Sequence, residues 1–138
     1  NSRFLRKSFL QKVFGEQFLK IEEEEDTLSE KNYIFINLVK DFILKNIDQE
    51  NLNIDEVASE LCMSRTTFFN KWKSLTGEAP KYFIYRIRME KARELLESGR
   101  YSVNVVPEMI GLRNLKNFRH KYKEYFGITP SESIMKKQ

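Results

Sequence analysis

The sequence predicts an all-α fold: two similar helical units joined by one long helix, with an extra helix at the N-terminus. Three observations predict it. Glycine (5) and proline (3) are scarce in 138 residues, while 41% of residues are hydrophobic, enough for a core and too many for wholesale disorder. Apolar residues recur at three- and four-residue steps, and strand-like alternation is rare. One pattern also occurs twice, 50 residues apart: Phe68-x2-Lys71-Trp72-Lys73-x3-Gly77-x2-Pro80 and Phe118-x2-Lys121-Tyr122-Lys123-x3-Gly127-x2-Pro130. Each copy reads as a basic helix with an aromatic spine, a glycine stop and a proline restart.

Residues 3–21 carry Phe4, Leu5, Phe9, Val13, Phe14 and Phe18 around much of a helical circumference. Such a helix wants a partner, within the domain or in another chain. The run Glu22–Asp26 reads as a solvated acidic turn, because contiguous carboxylates do not converge on one ion by themselves. Residues 1–28 are therefore expected to be a linker or docking segment, and residues 29–138 the folded domain. Asn1 opens inside a basic amphipathic stretch, as expected of a piece of a longer protein.

Thr27-Leu28-Ser29-Glu30 is a capping box. The helix it opens should run to about Ile47, with Val39, Phe42, Ile43 and Ile47 inward. Asn53, with Glu56 three residues on, starts a short helix that buries Val57, Ala58 and Leu61. Cys62-Met63 turns the chain. Ser64 caps the next helix, which points Phe68, Trp72 and Leu75 inward and ends at Gly77. Pro80 opens a long helix to about Ser98, with Phe83, Ile87, Ala92, Leu95 and Leu96 as inner residues and Gly99 as its stop. The plan then restarts. Ser102 can cap, Val103, Val106 and Ile110 face inward, and Gly111-Leu112 turns. Asn114 or Arg113 caps a helix holding Phe118, Tyr122 and Tyr125, which stops at Gly127. Thr129-Pro130-Ser131-Glu132 is a further capping box that opens a short last helix. The two helix pairs cover about 53–76 and 102–126, with the joining helix at about 80–98.

The net charge of +4 is unevenly spread. Residues 1–50 hold 8 Lys/Arg against 10 Asp/Glu, while residues 51–138 hold 16 against 10. The basic excess thus lies with the repeat and points to nucleic acid or another anionic surface. Cys62 and His120 are the only residues of their kinds. They exclude an intramolecular disulfide and a structural zinc site, and fit a reducing compartment. No Gly-rich phosphate loop and no nucleophile–base pairing stands out, so neither catalysis nor a cofactor is expected. There is no 18-residue apolar run and no secretory signal, so no membrane contact is expected of this chain and the cytoplasm is its expected location.

A short helix, a tight turn and a second helix make the helix-turn-helix plan, in which the second helix enters the major groove of DNA. With Phe68, Trp72, Phe118 and Tyr122 inward, helical geometry turns Thr66, Phe69, Asn70 and Lys73 outward in the first unit. In the second unit it turns out Leu115, Lys116, Arg119 and His120. Lys116 and Arg119 suit guanine, Asn70 suits adenine, and Phe69 and Leu115 suit thymine methyls. Arg65, Lys71, Lys73, Lys121 and Lys123 suit phosphates, as do the backbone amides of helices starting at Ser64 and Asn114. Taken singly, an aromatic stripe is core and a lysine is a solvated face. Two matched faces in the same context favour double-stranded DNA as the partner. The alternative is a helical protein-interaction module whose basic faces bind an acidic partner protein.

Three stretches carry a family resemblance. They are Val57-Ala58-x2-Leu61-x-Met63-Ser64-x3-Phe68, Arg86-x-Arg88-x3-Ala92-x2-Leu95-Leu96, and Asn117-Phe118-x3-Tyr122-Lys123-x2-Phe126-Gly127-x-Thr129-Pro130-Ser131. Together they resemble the DNA-binding domain of AraC/XylS-type transcription regulators, over roughly Ser29 to Ile134. The resemblance implies two homeodomain-like helix-turn-helix units on a linker helix, reading major-groove segments about 34 Å apart on one DNA face. Residues 1–28 resemble the segment that follows the receiver in hybrid two-component sensors. That resemblance implies an upstream receiver domain or a second copy as the partner of residues 1–21, and leaves room for RNA polymerase. It also allows a longer parent with histidine kinase activity and an inner-membrane anchor.

The chain departs from the family pattern at four positions. Cys62 stands for a usual Gly, Leu112 for a Phe, Asn117 for a Tyr, and Pro107 fills the slot matching Ala58. A proline inside a helix begun at Val103 would cost about 3 kcal/mol. A start near Val106 avoids that, so a shortened or kinked helix is expected. Ala58 and Pro107 are 49 residues apart, not 50, which predicts one extra residue in the second turn.

Overall fold

The computed structural model describes the backbone of residues 26–136. The expected N-terminal helix over residues 3–21 lies outside the described residues. Among the described residues there are seven helices and no strand: α1 (Asp26–Lys45), α2 (Ile54–Glu60), α3 (Arg65–Thr76), α4 (Lys81–Glu97), α5 (Val106–Met109), α6 (Leu115–Phe126) and α7 (Pro130–Lys136). The chain divides into two compact units. The first holds α1 through Ile43 and Asn53–Ile84; the second holds Leu44–Leu52 and the chain from Tyr85 on.

In the first unit, the aromatic residues of α3 form the centre. Phe68 is fully buried and Trp72 nearly so. Their rings lie 5.9 Å apart, with Phe35 of α1 5.8 Å from Phe68 and Phe83 of α4 4.7 Å from Trp72. Ile36, Val39, Ile43, Val57, Ala58 and Leu75 complete this core. Each large side chain so buried contributes about 1.5–3 kcal/mol. Asn53 caps α2 by accepting the Glu56 amide at 3.0 Å. α1 already runs at Asp26, one residue before the expected cap. It ends at Lys45, short of the expected Ile47, although Ile47 is still buried.

In the second unit, Phe118 and Tyr122 of α6 are fully buried. Ile87, Met89, Ala92 and Leu96 of α4, with Val106 and Ile110, are buried in the same unit. The buried Tyr122 hydroxyl is satisfied by Ser133 of α7, 2.5 Å away. A Thr129–Glu132 capping box sets α7: the Glu132 amide donates to Thr129 Oγ1 at 3.1 Å, and the Thr129 amide to Glu132 Oε1 at 3.3 Å. Tyr125, on the same helix, is not part of this core. It is 38% exposed, with its ring edge-on to Tyr85 at 5.7 Å rather than in the core. The matching residue of α3, Leu75, is buried.

The Leu44–Leu52 segment is tied to the rest of the second unit by two arginines. Arg88 of α4, buried, donates from Nη2 to the Gln49 carbonyl at 2.7 Å. Arg113 donates to the Asp48 carbonyl at 3.1 Å. Burial lowers the Arg88 pKa and nearby Glu50 opposes that shift; the guanidinium stays charged. Gly111 (φ 77°) sits against this segment, and a Cβ there would lie 2.5 Å from the Ile47 carbonyl oxygen. Only glycine fits such a left-handed, close-approach position.

The second helix pair is shortened, as Pro107 predicts. α5 starts at Val106 and spans four residues, with Pro107 in its first turn, where no amide is needed. Ser102 is not its cap: Val105 takes that position without a side-chain bond, and the Ser102 carbonyl accepts the Val105 amide in a preceding turn. The two inter-helix turns match at the 49-residue offset. Met63 N–H donates to the Ala58 carbonyl, and Leu112 N–H to the Pro107 carbonyl, both at 2.9 Å. Cys62 and Gly111 both take positive φ, 57° and 77°. The extra residue then falls between Leu112 and the cap Asn114. It is Arg113, the residue that reaches Asp48.

Candidate nucleic-acid interface

α3 and α6 are the same device built twice. Each has 12 residues, from Arg65 and from Leu115. Each is capped by a polar side chain that accepts the third helical amide: Ser64 from Thr67 at 3.1 Å, Asn114 from Asn117 at 2.9 Å. Each ends on a left-handed glycine whose N–H reaches four residues back, Gly77 to Lys73 and Gly127 to Lys123, both at 2.7 Å. The buried aromatics fix the rotation of each helix about its axis. What faces solvent is then set by geometry.

The expected site residues fall on these outer faces. Ser64, Arg65, Thr66, Phe69, Asn70 and Lys73 are exposed in the first unit, and Asn114, Lys116, Arg119, His120 and Lys123 in the second. Leu115 is only half-buried, turned partly toward the core side. Arg65, at the matching first position of α3, has its Nε 3.5 Å from Asp55 Oδ1 of α2. Arg65 thus stays exposed beside that carboxylate, while Leu115 at the same position of α6 is half-buried. Lys71 and Lys121 leave the outer arc: Lys71 Nζ lies 4.3 Å over the Phe35 ring, and Lys121 is half-buried. Lys73 stays outside, with its ammonium 5.9 Å from the Phe69 ring centre.

Three residues enter the site that sequence reasoning did not assign to it. Asp55 holds Arg65. Glu124 lies 3.5 Å from His120 Nε2 on the outer face of α6. Their i,i+4 spacing is a signal that could have shown it. Arg113 stands just before α6, still exposed, with one end on the Asp48 carbonyl and its Nε 3.9 Å from the Glu50 carboxylate; nothing in its local sequence reveals that. Among the described residues no three His, Cys, Asp or Glu side chains gather as a metal site. No described helix is long and apolar enough to cross a membrane.

The site has no nucleophile paired with a base. It offers amide, guanidinium, ammonium and helix-terminal N–H donors on two exposed helices, a chemistry suited to base edges and phosphates.

Known proteins share this architecture. A family profile described as a helix-turn-helix domain matches residues 57–134. Histidine kinase P4 of Formosa agariphila is 33% identical over 87 residues, which is 63% of this chain and 6% of that protein. The xylose operon regulatory protein of Escherichia coli K12 is 29% identical over 89 residues, 64% of this chain and 23% of that protein. Among solved structures, the DNA-binding domain of the global transcriptional factor AdpA, in complex with a target DNA, superposes with a TM-score of 0.63. It is 28% identical, over 73% of this chain and 89% of that one. The chain thus spans under a quarter of the length of these two curated relatives.

Proposed function

The chain belongs to the AraC-type helix-turn-helix family of DNA-binding transcription regulators, and we propose that it reads double-stranded DNA with α3 and α6 in two successive major-groove segments. One observation carries this reading: two matched helices each bury an aromatic stripe and expose a polar, basic arc. Phe69, Asn70 and Thr66 in α3, and Lys116, Arg119 and His120 in α6, contact bases. Arg65, Lys73, Lys123 and the helix starts at Ser64 and Asn114 hold phosphates; Arg65 does so beside Asp55, and Leu115 touches the groove only at its edge. Residues 29–138 form the DNA-binding domain, and residues 1–28 join it to an upstream receiver domain or a second copy. The parent is a cytoplasm-facing two-component regulator with a kinase and a membrane anchor of its own, and it contacts RNA polymerase when bound. The likeness to histidine kinase P4 supports that context.

The test is a binding titration on duplexes selected from a random pool. Contact with six or more phosphates gives a log K against log [salt] slope of about −5 or steeper. Arg119→Ala should relax specificity at one or two base pairs, by about 1–3 kcal/mol. Lys73→Ala should weaken all sequences alike. A flat salt slope with no preference over random duplex would point to an acidic protein partner instead.

A further inference from the structure

Resting on that reading, we propose that the two recognition helices select unlike halves of one operator: α3 an A·T-rich block and α6 a G·C-rich block. The two helices share length, cap, stop and buried stripe. Matching positions therefore present side chains in the same geometry, and any difference in reading comes from the side chains themselves. Of the four outward positions Thr66, Phe69, Asn70 and Lys73, three change chemistry: Thr66 becomes Lys116, Phe69 becomes Arg119, and Asn70 becomes His120; nearby, Ser74 becomes Glu124.

On α3 these positions offer a methyl group, an aromatic ring and an amide. The Thr66 methyl and the Phe69 ring, 36% exposed, suit the thymine 5-methyl. The Asn70 amide suits adenine N6 and N7. Arg65, the one arginine of α3, stands at its first position, exposed and 3.5 Å from Asp55 in a surface ion pair that offsets part of its charge. Lys71 lies over Phe35 and Lys73 beside Phe69. From Thr66 to Lys73 the outer arc of α3 thus offers a methyl, a ring and an amide, with Lys73 as its outward ammonium and no arginine.

On α6 the same arc holds Lys116, Arg119, His120 and Lys123, all exposed. Its one aliphatic candidate, Leu115, is half-buried. Arg119 can bond guanine O6 and N7 in bidentate fashion, and Lys116 can donate to the same edge. Glu124, beside His120, can accept from cytosine N4. Lys73 and Lys123 occupy matching positions and are alike, as expected of residues that hold phosphate and carry no sequence information.

The experiment is selection from a random duplex pool with residues 1–138, repeated with Asn70→Ala and Arg119→Ala. The substituted positions are exposed. The expected result is a site with one A·T-rich and one G·C-rich block. Asn70→Ala should erase an adenine preference of about 5- to 150-fold in the first block only, and Arg119→Ala a guanine preference of similar size in the second only. Two blocks of like composition, or variants acting on the opposite blocks, would overturn the inference while leaving DNA reading intact. No enrichment over the starting pool would overturn both.

Discussion

At the scale of single residues, the left-handed backbone positions are where chemistry and conformation disagree. Gly111 meets its turn's demand at no cost, while Cys62 meets the equivalent demand with a side chain, at φ 57°. A left-handed residue with a Cβ costs about 1–2 kcal/mol, partly offset because glycine loses more backbone entropy on folding. Cys62→Gly should therefore stabilise the fold by about 0.5–1 kcal/mol, read from denaturant midpoints at unchanged slope. An unchanged or lower midpoint would mean the turn carries no strain at Cys62. This position was legible: the resemblance marks it as a glycine site, and φ shows why. The ties made by Arg88 and Arg113 were not legible. Each depends on a carbonyl 39 or 65 residues away, brought near only by the fold.

At the scale of elements, the outcome followed the local rules wherever one face had to be buried. The caps at Asn53, Ser64 and Asn114, the stops at Gly77 and Gly127, and the stripes of α3 and α6 all read directly from spacing. The rules were weaker at the ends. Ser102 has a capping side chain but no helix to cap, because Pro107 cannot sit deeper than a first turn and so moves the start of α5 to Val106. With Pro107 in that position, Pro107→Ala removes a residue that restricts the unfolded chain without straining the folded one. The variant should gain no stability and lose up to about 1 kcal/mol, seen as an unchanged or lower thermal midpoint. A clear rise would place the proline in a strained helix interior. The outward arcs were legible because the inward ones were. What the sequence pattern missed on them, Asp55 against Arg65 and Glu124 against His120, are pairings across exposed surface that no apolar periodicity encodes.

At the scale of the whole molecule, stability is tied to three phenols of the second unit. Burial raises the pKa of Tyr122, and burial followed by nearby carboxylates raises those of Tyr125 and Tyr85. A phenol with a raised folded-state pKa binds its proton more tightly when folded. Its contribution is therefore full below the ordinary value of about 10 and is lost as pH rises through the folded value. Denaturation midpoints should hold steady up to about pH 9 and fall above about pH 10, with Tyr122→Phe reducing the fall. Midpoints flat through that alkaline range would contradict the burial of Tyr122.

Assignment of Leu44–Leu52 to the second unit also means that neither unit is one continuous stretch of chain. The two are interleaved along the sequence, so no single proteolytic or recombination breakpoint can excise one of them whole. A fragment begun at Tyr85 would carry Arg88 and Arg113 without the Gln49 and Asp48 carbonyls they grip. During synthesis the first piece of the second unit leaves the ribosome well before its partners and stays uncommitted until they arrive. The tandem appearance of the repeat therefore hides an interleaving: a cut between its two copies leaves the second unit without its first piece.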